Sequence, residues 1–167
     1  RYGGSDYYHG TEPNAFLVEH AHRLGSPVLS LAEGEGRNAV FLADRGLDVL
    51  GVDLSAAGLA KAQRLASERG VRIRTQVADL AGFDPGEERF GSIVSICANL
   101  HSAVRQRLNP LLERALLPRG MVLLEGYSEA QFGRSSGGPP DPDMLLSVEK
   151  IRAEWPGLEV VCLRELE

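Results

Sequence analysis

The stretch from Val28 to Asp53 (VLSLAEGEGRNAVFLADRGLDVLGVD) leaves the chain few ways to fold. A short, mostly apolar run, Val28 to Ala32, breaks into Glu33-Gly34-Glu35-Gly36. A run of that length ending in a glycine turn reads as a buried strand. Arg37 to Arg45 reads as a helix stopped by Gly46, a residue suited to the left-handed position past a helix end. Asp48 to Asp53 reads as a second strand. Gly34 to Ala39 fits the spacing G-x-G-x-x-G/A, and an acid, Asp53, closes the second strand 19 residues after Gly34.

The alternation continues downstream. Ser55 is suited to cap a helix whose apolar stripe is Leu59, Ala62, Leu65 and Ala66, closed by Gly70. Val71, Ile73, Thr75 and Val77 alternate with polar residues, as in a strand with one less buried face. Asp84-Pro85-Gly86 is a turn, and Phe90 to Ile96 a fourth strand. Val104, Leu108, Leu111, Leu112 and Ala115 mark a helical face that Pro110 is expected to kink or divide. Pro118-Arg119-Gly120 reads as a turn and Met121 to Glu125 as a fifth strand. Asp143 is expected to cap a helix carrying Met144, Val148, Ile151 and Trp155, with a sixth strand from Leu158 to Leu163. Upstream, Ala15 to Leu24 reads as a helix with Leu17, Ala21 and Leu24 on one face. The expected fold is α/β: a Rossmann-like, doubly wound, mostly parallel sheet with helices on both faces. The Gly/Pro/Ser-rich segment 133–143 is a long loop.

Length and charge narrow the function. A chain of 167 residues suits one domain, 1–167, with no room for a separate substrate domain. The net charge is −5, from 18 Lys+Arg and 23 Asp+Glu. Arg69, Arg72 and Arg74, and likewise Arg105 and Arg107, read as solvated surface, so no basic patch marks a nucleic-acid partner. No apolar run nears the roughly 20 residues of a membrane span, and from the polar N-terminus no signal peptide is expected. Cys97 and Cys162 lie in apolar runs, read as buried thiols, and form neither a disulfide framework nor a metal site. A cytoplasmic protein is expected. The chain opens on Arg1 and stops at Glu167 inside an expected strand, as a trimmed piece would.

In open parallel sheets, ligands sit at the carboxyl ends of the strands. Those ends carry Glu33 to Gly36, then Asp53, Asp79, and Cys97-Ala98-Asn99. The glycines let backbone approach a ligand closely, and the Asp53 carboxylate can accept two hydrogen bonds from a ribose diol. Dinucleotides and S-adenosylmethionine (SAM) both suit this layout. A dinucleotide puts an anionic pyrophosphate at the glycine turn, where Glu33 and Glu35 would repel it. SAM puts an amino acid and a sulfonium there, for which a carboxylate is favourable. Asp79 supplies an acceptor for an adenine amino group.

Val28 to Asp53 resembles the first motif of class I SAM-dependent methyltransferases. The fuller pattern is similar to the small bacterial TehB-like methyltransferases, related to tellurite-resistance and thiopurine methyltransferases. The resemblance is carried by Gly10-Thr11-Glu12-Pro13-Asn14 with Phe16-Leu17, by Ala78-Asp79-Leu80, by Pro118 to Gly126, and by Ser136-Gly137-Gly138-Pro139. It implies a seven-stranded sheet, here lacking its last antiparallel strand. It implies SAM, leaving as S-adenosylhomocysteine, across the strand tips. Glu33, Gly34 and Gly36, with Asn38, would hold the methionine end, Asp53 and Leu54 the ribose side, and Asp79 and Leu80 the adenine. Cys97 and Ala98 would offer backbone near the sulfonium. Residues 1–26 form an N-terminal lid and helix segment, of which Tyr8 to Asn14 would close over the cofactor. The chain departs from the family at Asn99-Leu100-His101, where relatives often read His-Leu-Pro, and at His9, where they carry an aromatic.

Methyl transfer is an in-line attack on a methyl already activated by its sulfonium, so alignment carries much of the rate. A base is needed only when the acceptor carries a proton. His9 and His101 are candidate bases, and Tyr8 and Tyr127 candidate walls around the methyl group. Arg134 is placed to meet an anionic acceptor. His20 and His22 read as surface residues. The expected partner is a small-molecule acceptor, with the protein a monomer or homodimer. Two other readings stand beside this one: an NAD(P)-binding protein using the same glycines, and a non-catalytic SAM-binding module.

Overall fold

The computed structural model describes residues 2–166. Five strands, β1 (Val28–Leu31), β2 (Val49–Asp53), β3 (Arg74–Val77), β4 (Phe90–Ile96) and β5 (Leu116–Glu125), form one parallel sheet. Their order is β3-β2-β1-β4-β5. The order reverses between β1 and β4, and that is the crevice where a doubly wound sheet takes its ligand. The helices are α1 (Ala15–His20), α2 (Arg37–Asp44), α3 (Ala56–Glu68), α4 (Ser102–Ala115) and α5 (Val148–Glu154).

Alternation along each strand sends side chains to two separate cores. Val28, Val49, Val94 and Ile96 pack with Leu17, Leu42, Ala62 and Leu65 from α1, α2 and α3. Leu29, Leu31, Leu50, Val52 and Ile93 face Leu108, Leu112 and Trp155 beside α4 and α5. Each fully buried Leu or Ile contributes about 1.5–3 kcal/mol, so the central strands are clamped from both faces and their tips are held still.

Several expectations are corrected. Pro110 lies within α4, which runs unbroken from Ser102 to Ala115; burial of Leu108, Leu112 and Ala115 outweighs one lost backbone bond. Pro118-Arg119-Gly120 is an irregularity inside β5, not a turn before it, with Arg119 at φ 65° and a register shift between Phe90 and Ser92. β3 begins at Arg74 rather than Val71. The helix expected to run from Ala15 to Leu24 tightens into a 3-10 turn at Ala21–Arg23, and His20 is buried against Phe16. α5 is capped by Ser147, not Asp143. Asp143 instead accepts the Ser102 N–H at the start of α4.

The expected sixth strand is not formed: residues 158–163 pair with no strand, and Val160 and Val161 are exposed. A strand needs a ladder for its N–H and C=O groups, and this segment runs instead toward α1, where Arg164 bonds Glu19. Cys162 is therefore exposed and Cys97 only partly buried. Arg105, read from sequence as solvated, is buried and paired with Glu154. Among the described residues, no helix is long and apolar enough to cross a membrane.

Candidate active site

The turn after β1 needs backbone that most residues avoid. Ala32, Gly34 and Gly36 all have positive φ, at 50°, 64° and 94°. Gly36 has a second reason to be glycine: a Cβ there would lie 2.5 Å from the Ala62 Cβ, so α2 and α3 close against each other through it. Helix packing alone therefore requires a glycine at this position. Gly34 faces the Tyr2 ring, where a Cβ would lie 3.0 Å from the hydroxyl and 3.4 Å from the ring carbon that bears it.

Asp53 fastens this turn to the tip of β2. Its Oδ2 accepts the Gly34 N–H at 2.8 Å and its Oδ1 the Ser55 N–H at 2.8 Å. Ser55 in turn caps α3 by accepting from Gly58. Each carboxylate oxygen is used once and keeps a lone pair, and Asp53 is only half-buried. Beside it, Leu54 is 69% exposed, an apolar surface next to the acid.

The two glutamates of the turn have different fates. Glu33 is buried under the turn, where it accepts the Ala39 N–H at 2.9 Å and pairs with the Ser30 hydroxyl. Gly51, opposite Ser30 in register, makes room for it, since a Cβ there would sit 3.1 Å from Glu33 Cγ. Burial pushes the Glu33 carboxyl up to about 7, against the pull of its hydrogen bonds to Ser30 and Ala39. A cation brought to the turn would favour its ionised form. Glu35 is already neutralised: its Oε1 lies 2.7 Å from the buried Lys61 ammonium, and its Oε2 accepts the Tyr8 N–H at 2.6 Å. It therefore anchors the N-terminal segment instead of offering free negative charge at the turn. Lys61 also donates to the Asp6 carbonyl at 2.7 Å.

Asn14 closes the rim. Its backbone N–H reaches Asn38 Oδ1 at 2.9 Å, its Nδ2 reaches Glu125 Oε1 at 2.7 Å, and its Oδ1 caps α1 at the Leu17 N–H. Asn38 is thus buried and committed to this link rather than displayed. At the tip of β4, Cys97 and Asn99 have φ of 50° and 51°. Burial raises the Cys97 thiol, the Glu125 carboxylate adds to this, and Arg37 opposes it. Glu125 and Arg37 thus flank the β4 tip with opposite charges.

The remaining sequence-predicted residues divide. Asp79 is exposed and accepts the Ala81 N–H at 2.9 Å, while the Leu80 side chain is buried in the α4-side core, leaving only its backbone for a ligand. Ala98 is half-buried beside Cys97. Tyr8 is exposed, edge-on to His9 with ring centroids 4.7 Å apart. Tyr127 packs under Gly138 of the long loop, and Arg134 is exposed there. His101 stands just before α4, with Asp143 and Asp141 carboxylate oxygens 3.4 and 3.6 Å from its Nδ1. Sequence reasoning missed Ser30, Lys61, Glu125, Asp141 and the side-chain role of Asn14. For Ser30 the strand-interior Gly51 opposite it was a signal, because such a glycine marks a close approach, here of Glu33; the others carry no local signal.

Between the sheet and α4 lies a cavity of about 40 Å³, lined by Leu31, Leu108 and Leu124 and, at the strand tips, by Ala98, Asn99 and Glu125. It has room for a water or two and no more.

Sheet order, glycine turn and the acid at the β2 tip define a nucleoside-binding α/β protein. Residues 28–120, more than half of the chain, match the model of the methyltransferase domain family. The chain belongs to that family, and its fold is that of the class I SAM-dependent methyltransferases. It is 26% identical over 145 residues to 2-heptyl-1-hydroxyquinolin-4(1H)-one methyltransferase of Mycobacteroides abscessus, covering 83% of this chain and 64% of that protein. The chain thus spans less than two thirds of that relative. A TehB-like SAM-dependent methyltransferase from Corynebacterium glutamicum shares the fold at TM-score 0.57 and 24% identity, over 78% of this chain and 62% of that one. The glycopeptide N-methyltransferase MtfA, solved with sinefungin, is similar at TM-score 0.59 and 29% identity, over 73% of this chain and 56% of that one.

Proposed function

We propose that this chain binds SAM over the tips of β1, β2 and β4 and transfers its methyl group to a small-molecule acceptor. The observation that carries the reading is the Asp53 carboxylate, fastened to the Gly34 N–H and still open to a diol, beside a buried glutamate that a cation would ionise. In this reading Glu33 and the Gly34 turn hold the methionine end. Asp53 takes the ribose, with Leu54 alongside. Asp79 and the Leu80 backbone meet the adenine, and Cys97 and Ala98 contribute backbone beside the sulfonium. Gly36 and Asn38 act through the shape of the turn. Glu35 and Lys61 tether the segment carrying Tyr8 and His9, which closes over the cofactor as a lid.

SAM supplies an activated methyl group, so the chain's own task is to align the acceptor and exclude water. The relative from M. abscessus is named for a small heteroaromatic substrate, which supports a small acceptor here. The reading further takes 1–167 as one domain with 133–143 as a loop at the acceptor side, working in the cytoplasm as a monomer or homodimer, with no nucleic-acid or membrane partner.

Calorimetric titration with SAM, S-adenosylhomocysteine and NADH tests this. SAM and S-adenosylhomocysteine should bind and NADH should not; binding of NADH alone would sink the proposal. Release of S-adenosylhomocysteine with any acceptor separates an enzyme from a binding module.

A further inference from the structure

Two opposite charges flank the β4 tip without meeting. Arg37 opens α2 directly after the glycine turn, and Glu125 ends β5 opposite Ile96 in register. Both are half-buried. Both charges reach the Cys97 thiol, which Glu125 raises and Arg37 lowers. Asn14 ties the two positions to one rim. Its N–H reaches Asn38, the residue after Arg37, at 2.9 Å, and its Nδ2 donates to Glu125 Oε1 at 2.7 Å. The Cys97 N–H donates to the Glu125 carbonyl at 2.8 Å, which fixes the end of β5 beside the end of β4.

Other buried charges of the molecule have partners: Lys61 is paired with Glu35 and Arg105 with Glu154. Among the described residues, the Arg37 guanidinium makes no hydrogen bond or ion pair, and Glu125 has no cationic partner and uses only Oε1. Charge-assisted hydrogen bonds are strong ones, so two half-buried opposite charges that act on one thiol would gain by pairing. Their separation leaves a gap that suits a group carrying both signs of charge. The methionine end of SAM is such a group, with a carboxylate and an ammonium on one carbon. The turn beneath it has already committed several donors. The Gly34 N–H is bonded to Asp53, the Ala39 N–H to Glu33, and the Lys61 ammonium to Glu35 and Asp6. Glu33 is buried with its oxygens on Ser30 and Ala39, so it acts on a cation through its field and not by contact.

We propose that Arg37 and Glu125 select the cofactor by its zwitterionic end, Arg37 taking the α-carboxylate and Glu125 the α-ammonium. This rests on the SAM-dependent reading above, in which Glu33 and the Gly34 turn form the floor under that end. The planar guanidinium can meet a carboxylate with two parallel N–H donors. Oε2 of Glu125 accepts from the ammonium while Oε1 stays on Asn14. The bound zwitterion then bridges α2 to β5 across the β4 tip. Through Asn14, which caps α1, it also holds the N-terminal segment against the same ligand. An adenosyl ligand lacking either charge leaves one side chain of the pair unmatched, and a charged group left without its partner lowers affinity.

The test is calorimetric titration of the full chain with four ligands: S-adenosylhomocysteine, the same molecule without its carboxylate, the same molecule without its amino group, and methylthioadenosine, which lacks both. The wild type should bind S-adenosylhomocysteine most tightly and lose about 10–100-fold with each single deletion. R37Q should weaken S-adenosylhomocysteine and its deaminated form by about the same 10–100-fold, and leave the decarboxylated form and methylthioadenosine unchanged. E125Q keeps an oxygen for Asn14 Nδ2. It should weaken S-adenosylhomocysteine and its decarboxylated form, and leave the deaminated form and methylthioadenosine unchanged. R37K keeps the charge without the fork, should show the R37Q pattern at smaller size, and replaces R37Q if that variant fails to fold. Losses shared equally by all four ligands, or no loss, in either variant would overturn the proposal. So would a wild type that binds methylthioadenosine as tightly as S-adenosylhomocysteine. A wild type that binds none of the four would instead overturn the reading beneath it.

Discussion

Replacing Glu33 with Gln should make the protein more stable and less able to bind SAM, in a way that depends on pH. The Glu33 carboxyl sits under the glycine turn with its acidity moved from 4.5 to about 7 by burial. The folded state therefore holds this proton more tightly than the unfolded chain does. The sign follows: Glu33 costs no stability below its unfolded value of 4.5, costs progressively more as pH rises toward 7, and a constant amount above that. At about 1.4 kcal/mol per pH unit, the full cost is about 3 kcal/mol. Glutamine keeps an oxygen for the Ala39 N–H and an amide for the Ser30 hydroxyl but cannot ionise. E33Q should therefore lack the decline between pH 5 and 7. At pH 8 it should melt roughly 6–12 °C above the wild type. Glu19 and Asp143, whose carboxyls are lowered, lose their contribution only as pH falls below their ordinary range, outside this window. If a SAM cation requires ionised Glu33, wild-type affinity should rise about 100-fold from pH 5 to pH 8, and E33Q affinity should be flat and weaker. Denaturation and calorimetry across pH 5–8 decide it. The same stability slope in both proteins would refute the argument.

Three further outcomes are expected. G36A should destabilise the fold by about 2–4 kcal/mol, because φ of 94° and a Cβ 2.5 Å from Ala62 leave the new methyl no room; a thermal melt within 1 °C of wild type would contradict this. K61M strands the buried Glu35 carboxylate and should cost about 3–5 kcal/mol. The K61M/E35L pair should regain most of that stability, while limited proteolysis near Tyr8 rises in both. D53N can offer an oxygen to the Gly34 N–H or the Ser55 N–H but not to both, and should weaken SAM binding about 10–100-fold, measured by calorimetry.

The main frame of the fold was legible in the sequence because it is written in local patterns. The run from Val28 to Asp53 carries strand, glycine turn, helix and acid at spacings that only a βαβ unit satisfies. Gly46, Gly70 and Ser55 mark helix ends where each is found, since caps depend on one residue's backbone or hydroxyl. The misreadings share a cause. Residues 158–163 look like a strand, but a strand exists only where a neighbour offers a ladder. Pro110 looks like a break, but it stands on the exposed side of α4 while Leu108, Leu112 and Ala115 bury the opposite face in one core. Arg105 looks solvated because the sequence does not show Glu154 waiting 49 residues away.

The site divides along the same line. Sequence alone determined the acids and glycines at the strand tips, because strand ends in a parallel sheet are set by short-range pattern and crossover geometry. Which acids carry free charge was decided by tertiary structure. Glu33 and Glu35 are two residues apart and alike on paper. One is buried beside Ser30 with its proton held, and the other is neutralised by a lysine 26 residues away. His101 was visible as a histidine after a strand, but what faces its ring arrives from a loop some forty residues later. Charge in a folded chain depends on burial and on partners distant in sequence, and those exist only once the sheet has brought them together.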